Sequence, residues 1–211
     1  MERFHLSRLQ LLTKANWSMI DGILFETIPL ISEITAIRKS VSQSQNLEDK
    51  DLFISMVFPS GRLPGWDVES CIPDEWDHIN EMSTEMGMQA IMDAAFTPFT
   101  GQATVRGIGI NCTKPQFLKE LINSLNQVIS KIPGGEPFTL LLYPDGGAEW
   151  ENSRFKGGMS IEDWCQYVWE GVQTALKAGP GVWGRIIIGG CCNTGPAHIQ
   201  RLHEIVSESN A

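Results

Sequence analysis

The sequence has almost no clustered positive charge. Arg38-Lys39 is the single place where two basic residues adjoin, and the chain carries a formal charge of −9 with a pI near 4.9. A phosphate backbone would be repelled by such a surface, so nucleic acid is excluded as a partner. No apolar run approaches the roughly 20 residues that a membrane helix needs, so no membrane partner is expected. The start, Met1-Glu2-Arg3-Phe4-His5-Leu6-Ser7-Arg8, lacks the apolar stretch of a secretory signal, and Glu2 argues against an acid-poor transit peptide. Five cysteines are an odd number at no disulfide-framework spacing, which points to reduced thiols in the cytoplasm. No glycine-rich nucleotide fingerprint occurs, and none of His5, His78, His198 and His203 neighbours a strand-end cysteine.

What is present suffices for one domain with a sizeable core: 211 residues, 42% hydrophobic and 19% charged. Apolar, β-rich runs at Ile20–Glu26, Leu52–Phe58, Val105–Asn111, Phe138–Tyr143 and Arg185–Gly189 alternate with helical patterns. The runs are nearly continuous in apolar residues, as strands buried on both faces of a parallel sheet are. Phe117, Leu118, Leu121, Ile122, Leu125, Val128 and Ile129 fall at helical intervals behind Pro115. Trp164, Val168, Val172 and Leu176 do the same behind Ser160 as N-cap, with Asp163 three residues on. Pro196 opens a last helix through Ile199, Leu202, Ile205 and Val206. Pro59 to Asn80 and Pro144 to Gly158 read as loops, and both follow strands. Loops in that place build the active site of a (β/α) barrel.

The chemistry is carried by cysteines where strands run out. Cys112 closes Gly107-Ile108-Gly109-Ile110-Asn111-Cys112, and Cys191-Cys192 close Ile186-Ile187-Ile188-Gly189-Gly190-Cys191-Cys192. Three thiolates with a fourth position left open form the donor set of a catalytic zinc. Adjacent residues of a regular strand point to opposite faces, and Gly189-Gly190 allow the bend that brings both sulfurs to one metal. Cys71 in a loop and Cys165 on a helix read as incidental, His198 as structural, and Trp150 as the loop tryptophan placed to touch a substrate.

Phe25-Glu26-Thr27-Ile28-Pro29, Gly109-Ile110-Asn111-Cys112-Thr113, Tyr143-Pro144-Asp145-Gly146 and Gly189-Gly190-Cys191-Cys192 occur here in the order found in homocysteine S-methyltransferases. Phe53-Ile54-Ser55-Met56-Val57-Phe58-Pro59 and Gly195-Pro196-Ala197-His198-Ile199 also look like that family's connecting segments. The chain resembles this family from about Phe4 to its C-terminus. The resemblance implies an α/β fold, part of a (β/α)8 TIM barrel covering roughly strands 4 to 8. Residues 1–211 would be an N-terminally truncated homocysteine-binding domain without the Asp-Gly-Gly segment that opens the family's fold. It further implies Zn2+ held by Cys112, Cys191 and Cys192, with no catalytic residue beyond those ligands. Glu26 would bind the homocysteine amino group, and the product would be methionine. The implied methyl donors are S-methylmethionine and S-adenosylmethionine. Asn111 is placed to orient Cys112 or a loop, with a purely structural use as the alternative. Asp145 stands where the family's commonest Tyr-Pro-Asn-Ser-Gly has an amide. An open five-stranded sheet is expected to self-associate through its exposed edge. The rival reading is a catalytically inactive remnant that binds zinc or a partner.

Overall fold

The computed structural model describes residues 1–12, 19–44, 47, 50–58, 61, 84–132, 137–179 and 181–209. In chain order these form α1 (Glu2–Leu12), β1 (Gly22–Ile28), α2 (Ile31–Ser42), β2 (Asp51–Met56), α3 (Thr84–Phe96), β3 (Val105–Asn111), α4 (Leu118–Ile129), β4 (Phe138–Tyr143), β5 (Glu149–Glu151), β6 (Arg154–Lys156), α5 (Ile161–Leu176), β7 (Trp183–Ile188) and α6 (Pro196–Ser209). Five strands pair in parallel in the order β1-β2-β3-β4-β7, each neighbour reached through a crossover helix. This is a partial (β/α) barrel, and all five strands end on one rim.

Side-chain alternation divides the sheet into two unlike faces. Leu52, Ile54, Met56, Ile108, Ile110, Leu140 and Leu142 point toward the helices and form the core with them. Leu24, Phe53, Gly107, Thr139 and Arg185 stand in one register on the inner face, with Ser55, Gly109, Leu141 and Ile187 one layer above. On that face Leu24 and Ile187 are 40% and 42% exposed, because their strands each pair on one side only among the described residues. A closed barrel would fill this space with layers of side chains from all its strands.

The helices form where the apolar spacing places them. All of Leu118, Leu121, Ile122, Leu125, Val128 and Ile129 are buried along α4, each contributing on the order of 1.5–3 kcal/mol. At the start of α5 the Asp163 N–H donates to Ser160 Oγ (3.1 Å), which donates to the Asp163 carboxylate (2.8 Å). Leu176 departs from its expected place on the buried stripe: it ends α5 and is 60% exposed, as Ile199 near the start of α6 is at 44%. Helix α1 begins at Glu2 and is followed to Leu12. Helices α2 and α3 complete the layer, the second through Met88, Ile91, Met92 and Ala95. Strands β3 and β4 have the expected bounds, whereas β1 runs on through a register shift to Ile28 and β7 starts at Trp183 and ends before Gly189. The stretch 144–158 holds a hairpin, β5 with β6, whose turn residues Asn152 and Ser153 take the left-handed conformation that a type I′ turn requires. Apart from Gly61, the expected loop over 59–80 has its structure outside the described residues.

Arg38 is the least expected core residue, at 2% exposure. Its guanidinium donates to the carbonyls of Ala94 (2.7 Å), Thr97 (2.9 Å) and Ala103 (2.9 Å), closing the C-terminal end of α3 and the approach to β3. Burial lowers its affinity for the proton, and the planar fork still donates to all three acceptors. Arg38→Met should therefore leave three buried carbonyls unpaired and cost about 3 kcal/mol of stability. Urea unfolding checks this; a loss under ~0.5 kcal/mol would remove Arg38 from its role as a clamp.

Candidate metal centre

Three sulfurs converge on the rim. Cys112 Sγ lies 2.6 Å from Cys191 Sγ and 3.9 Å from Cys192 Sγ, and the last two are 3.9 Å apart. They form the one group of metal-ligating side chains found among the described residues. Thiolates about 2.3 Å from a tetrahedral zinc sit about 3.8 Å from each other, so two of the three separations already match and Cys112–Cys191 would open by about 1.2 Å. Burial, reinforced by Cys191 and Cys192, pushes the Cys112 thiol up to about 12. Burial and then Cys191 also raise Cys192. Three soft sulfur donors, with Cys112 and Cys192 resisting ionisation, are suited to a soft divalent cation, whose charge reverses that balance.

Local folding explains how sulfurs 79 residues apart meet. Cys112 leaves β3 in a left-handed conformation, φ +46°. After β7, Thr194 folds back with its N–H and hydroxyl both donating to the Cys191 carbonyl (3.3 and 2.6 Å), and Asn193 takes φ +58°. A β-carbon on Gly190 would collide with the Thr194 side chain, so this tight turn requires glycine there.

Tyr143-Pro144-Asp145-Gly146 binds the two halves of the centre together. The Pro144 carbonyl accepts the Cys191 N–H (2.8 Å), the Gly146 N–H donates to the Cys192 carbonyl (2.7 Å), and the Asp145 N–H donates to the Thr113 carbonyl (3.1 Å). Trp164 Nε1 donates to the Asp145 carbonyl at 2.9 Å, anchoring the loop to α5. The Asp145 carboxylate accepts the Gly147 N–H at 2.7 Å, a turn that aspartate and asparagine form equally well. Burial raises the Asp145 carboxyl, opposed by that N–H and by Lys114. Its departure from the commoner amide thus keeps the loop's geometry and adds a charge near Cys192.

Glu26 lies on the inner face of β1 and is exposed there, β1 being a sheet edge among the described residues. Beside it is a group that sequence reading passed over. The Tyr143 hydroxyl is buried between Ser55 and Glu26 without good hydrogen-bond geometry to any described group. Burial holds it above the usual phenol range, so it stays a donor aimed at the inner face. Its place as the last residue of an apolar strand was the signal that could have found it.

The remaining expectations sort cleanly. Cys165 is buried under α6 with its thiol toward the His198 carbonyl (3.5 Å), and Cys71 lies outside the described residues. His198 stands edge-on to Trp164, its Nδ1 accepting the Gly195 N–H at 3.2 Å. His5 is buried against Glu33 (2.9 Å). The Trp150 backbone is part of β5.

The model of the family described as "Homocysteine S-methyltransferase" matches residues 1–206. The protein named homocysteine S-methyltransferase 2 of Arabidopsis thaliana is 27% identical over 97% of this chain and 50% of its own length. Its Zea mays namesake is 29% identical over 99% of this chain and again 50% of its own. The chain spans about half the length of the curated relatives it matches. Among solved structures, the oxidized homocysteine methyltransferase of Escherichia coli superposes with a TM-score of 0.58 at 18% identity, over 97% of this chain and 52% of that one.

Purified protein should hold about one zinc ion per chain, lose it in Cys192→Ser and keep it in Cys165→Ala. Equal zinc in the two variants would overturn the ligand assignment. The raised thiols of Cys112 and Cys192 are protonated at neutral pH, so zinc uptake releases protons and affinity falls as pH falls. Calorimetry in buffers of different ionisation enthalpy reads that release.

Proposed function

Because this chain belongs to the homocysteine S-methyltransferase family, we propose that it contributes the metal-binding part of an enzyme that methylates L-homocysteine to methionine. The observation that carries the reading is the convergence of Cys112, Cys191 and Cys192 on the rim beside Glu26 and the Tyr143 hydroxyl. A zinc ion held by the three thiolates would acidify a bound thiol and hold its sulfur in place while leaving it electron-rich.

The chain's own groups supply recognition. Glu26 offers a carboxylate to the substrate ammonium, and Tyr143 offers a hydroxyl donor that lacks a hydrogen-bond partner among the described residues. The donor in this reading is a sulfonium, S-methylmethionine or S-adenosylmethionine. The methyl carbon forms a bond to the homocysteine sulfur as its bond to the sulfonium sulfur breaks. The electron pair of the broken bond stays on the donor, which leaves as a neutral thioether. The acceptor's thiol proton passes to solvent. What the protein must add is in-line alignment of the two sulfurs and the methyl group.

Glu26→Ala should weaken homocysteine binding at least about tenfold while leaving zinc content intact, an exposed ion pair keeping roughly 1.5 kcal/mol of a charged hydrogen bond. Calorimetry on the zinc-loaded chain measures it, and an unchanged affinity would remove Glu26 from the site.

A second reading has its own support. Among the described residues β1 and β7 each pair on one side only, beside exposed Leu24 and Ile187, which favours a chain that pairs with another copy and turns over poorly alone. Gel filtration with a methionine-formation assay on the same fraction should find associated species of low activity. A monodisperse monomer turning over at about 1 per second or faster would sink that view.

A further inference from the structure

Asn111 is wholly buried, and its side chain spans from β3 across β2 to the end of β1. Its Oδ1 accepts the Thr27 N–H (3.0 Å) and the Ser55 hydroxyl (2.8 Å), while its Nδ2 donates to Thr27 Oγ1 (2.7 Å). Thr27 sits at φ +59°, inside the register shift between Phe25 and Ile28. A β-branched residue in the left-handed region is strained, and such a conformation persists where the surroundings over-determine it. Asn111 engages both the amide and the hydroxyl of that one residue. Glu26 directly precedes Thr27, and Cys112 directly follows Asn111.

We propose that Asn111 is a positioning residue that holds the Thr27 corner and thereby fixes the Glu26 carboxylate relative to the Cys112 sulfur. The ammonium and the sulfur of one amino acid must reach both groups at once, so this single amide sets the span that the acceptor has to bridge. The inference rests on the homocysteine reading above and adds to it which residue builds the site's spacing.

The experiment measures zinc content and L-homocysteine binding by calorimetry on zinc-loaded full chains. Asn111→Ala should keep its zinc and bind homocysteine about tenfold more weakly, the scale set by losing the support of one strained corner. Adding Thr27→Gly should restore most of that affinity, because glycine takes φ near +59° without strain. A residue that only stabilised the fold would not be rescued by a change at Thr27. Should Asn111→Ala fail to fold, Ser55→Ala removes one bond to the amide and should weaken homocysteine binding about threefold with zinc retained. The proposal is overturned if folded Asn111→Ala binds homocysteine as the parent does, if Thr27→Gly fails to rescue it, or if Ser55→Ala, standing in for it, has parental affinity. Parent protein that holds zinc and binds no homocysteine would overturn the functional reading itself, and this inference with it.

Discussion

The site depends on a parallel sheet whose strand ends are tied to each other, β3, β4 and β7 by backbone hydrogen bonds just beyond the strands and β1, β2 and β3 by the Asn111 side chain. Parallel pairing brings the C-terminal ends of β1, β2, β3, β4 and β7 to one rim, yet it does not set where the chain goes after each strand. Here the segment after β4 sets it. Pro144 and Gly146 engage Cys191 and Cys192, and Asp145 engages Thr113, so the residues after β3 and after β7 are both measured against the same four-residue loop. A proline that needs no donor partner and a glycine that admits the Asn193 backbone within contact make this loop fit. The sulfurs then meet because their backbones are fixed.

The same sheet creates a difficulty at its edges. Outer-face residues of β2, β3 and β4 are buried under the helices and those of β1 and β7 partly so, while Leu24 and Ile187 on the inner face meet solvent. Stability therefore comes from one side of the sheet, and buried polar contacts reinforce it. Arg38 closes α3 onto the approach to β3, and Ser40 and Ser44 turn their hydroxyls back onto the α2 carbonyls of Ala36 and Ser40. Such contacts are local or lie within the helical layer. They fasten α2 to α3 and to the approach to β3 without calling on anything across the inner face.

Much of this was legible in the residues. Unbroken apolar runs gave β3 and β4 to the residue, because strands buried on both faces leave a period-free hydrophobic signal with polar residues at each end. The three cysteines were legible because each closes an apolar strand run, two of them directly after the pair Gly189-Gly190. Helix α3 was missed because its Met-rich stripe carries no cap signal at the described positions. The burial of Arg38 was not legible, since nothing in Arg38-Lys39 reveals which of the two faces three carbonyls. Tyr143 and Thr27 escaped for a deeper reason: their importance lies in a missing partner and in a backbone angle, and neither is written in a residue type.

Strain at the rim links these observations. Five non-glycine residues have positive φ among those described; two form the β5–β6 turn, and the other three are Thr27, Cys112 and Asn193. Each of the three lies beside a proposed ligand or is one. A left-handed residue turns the chain sharply, and these three lie near the end of β1, directly after β3 and in the turn that follows β7. Left-handed backbone at a threonine or cysteine is unfavourable in isolation. It persists here because buried amides and hydroxyls, Asn111 for Thr27 and Thr113 for the residues around Cys112, have their own hydrogen bonds completed only in that conformation. The polar web and the strained corners thus require one another, and the spacing of the sulfurs from Glu26 follows from both.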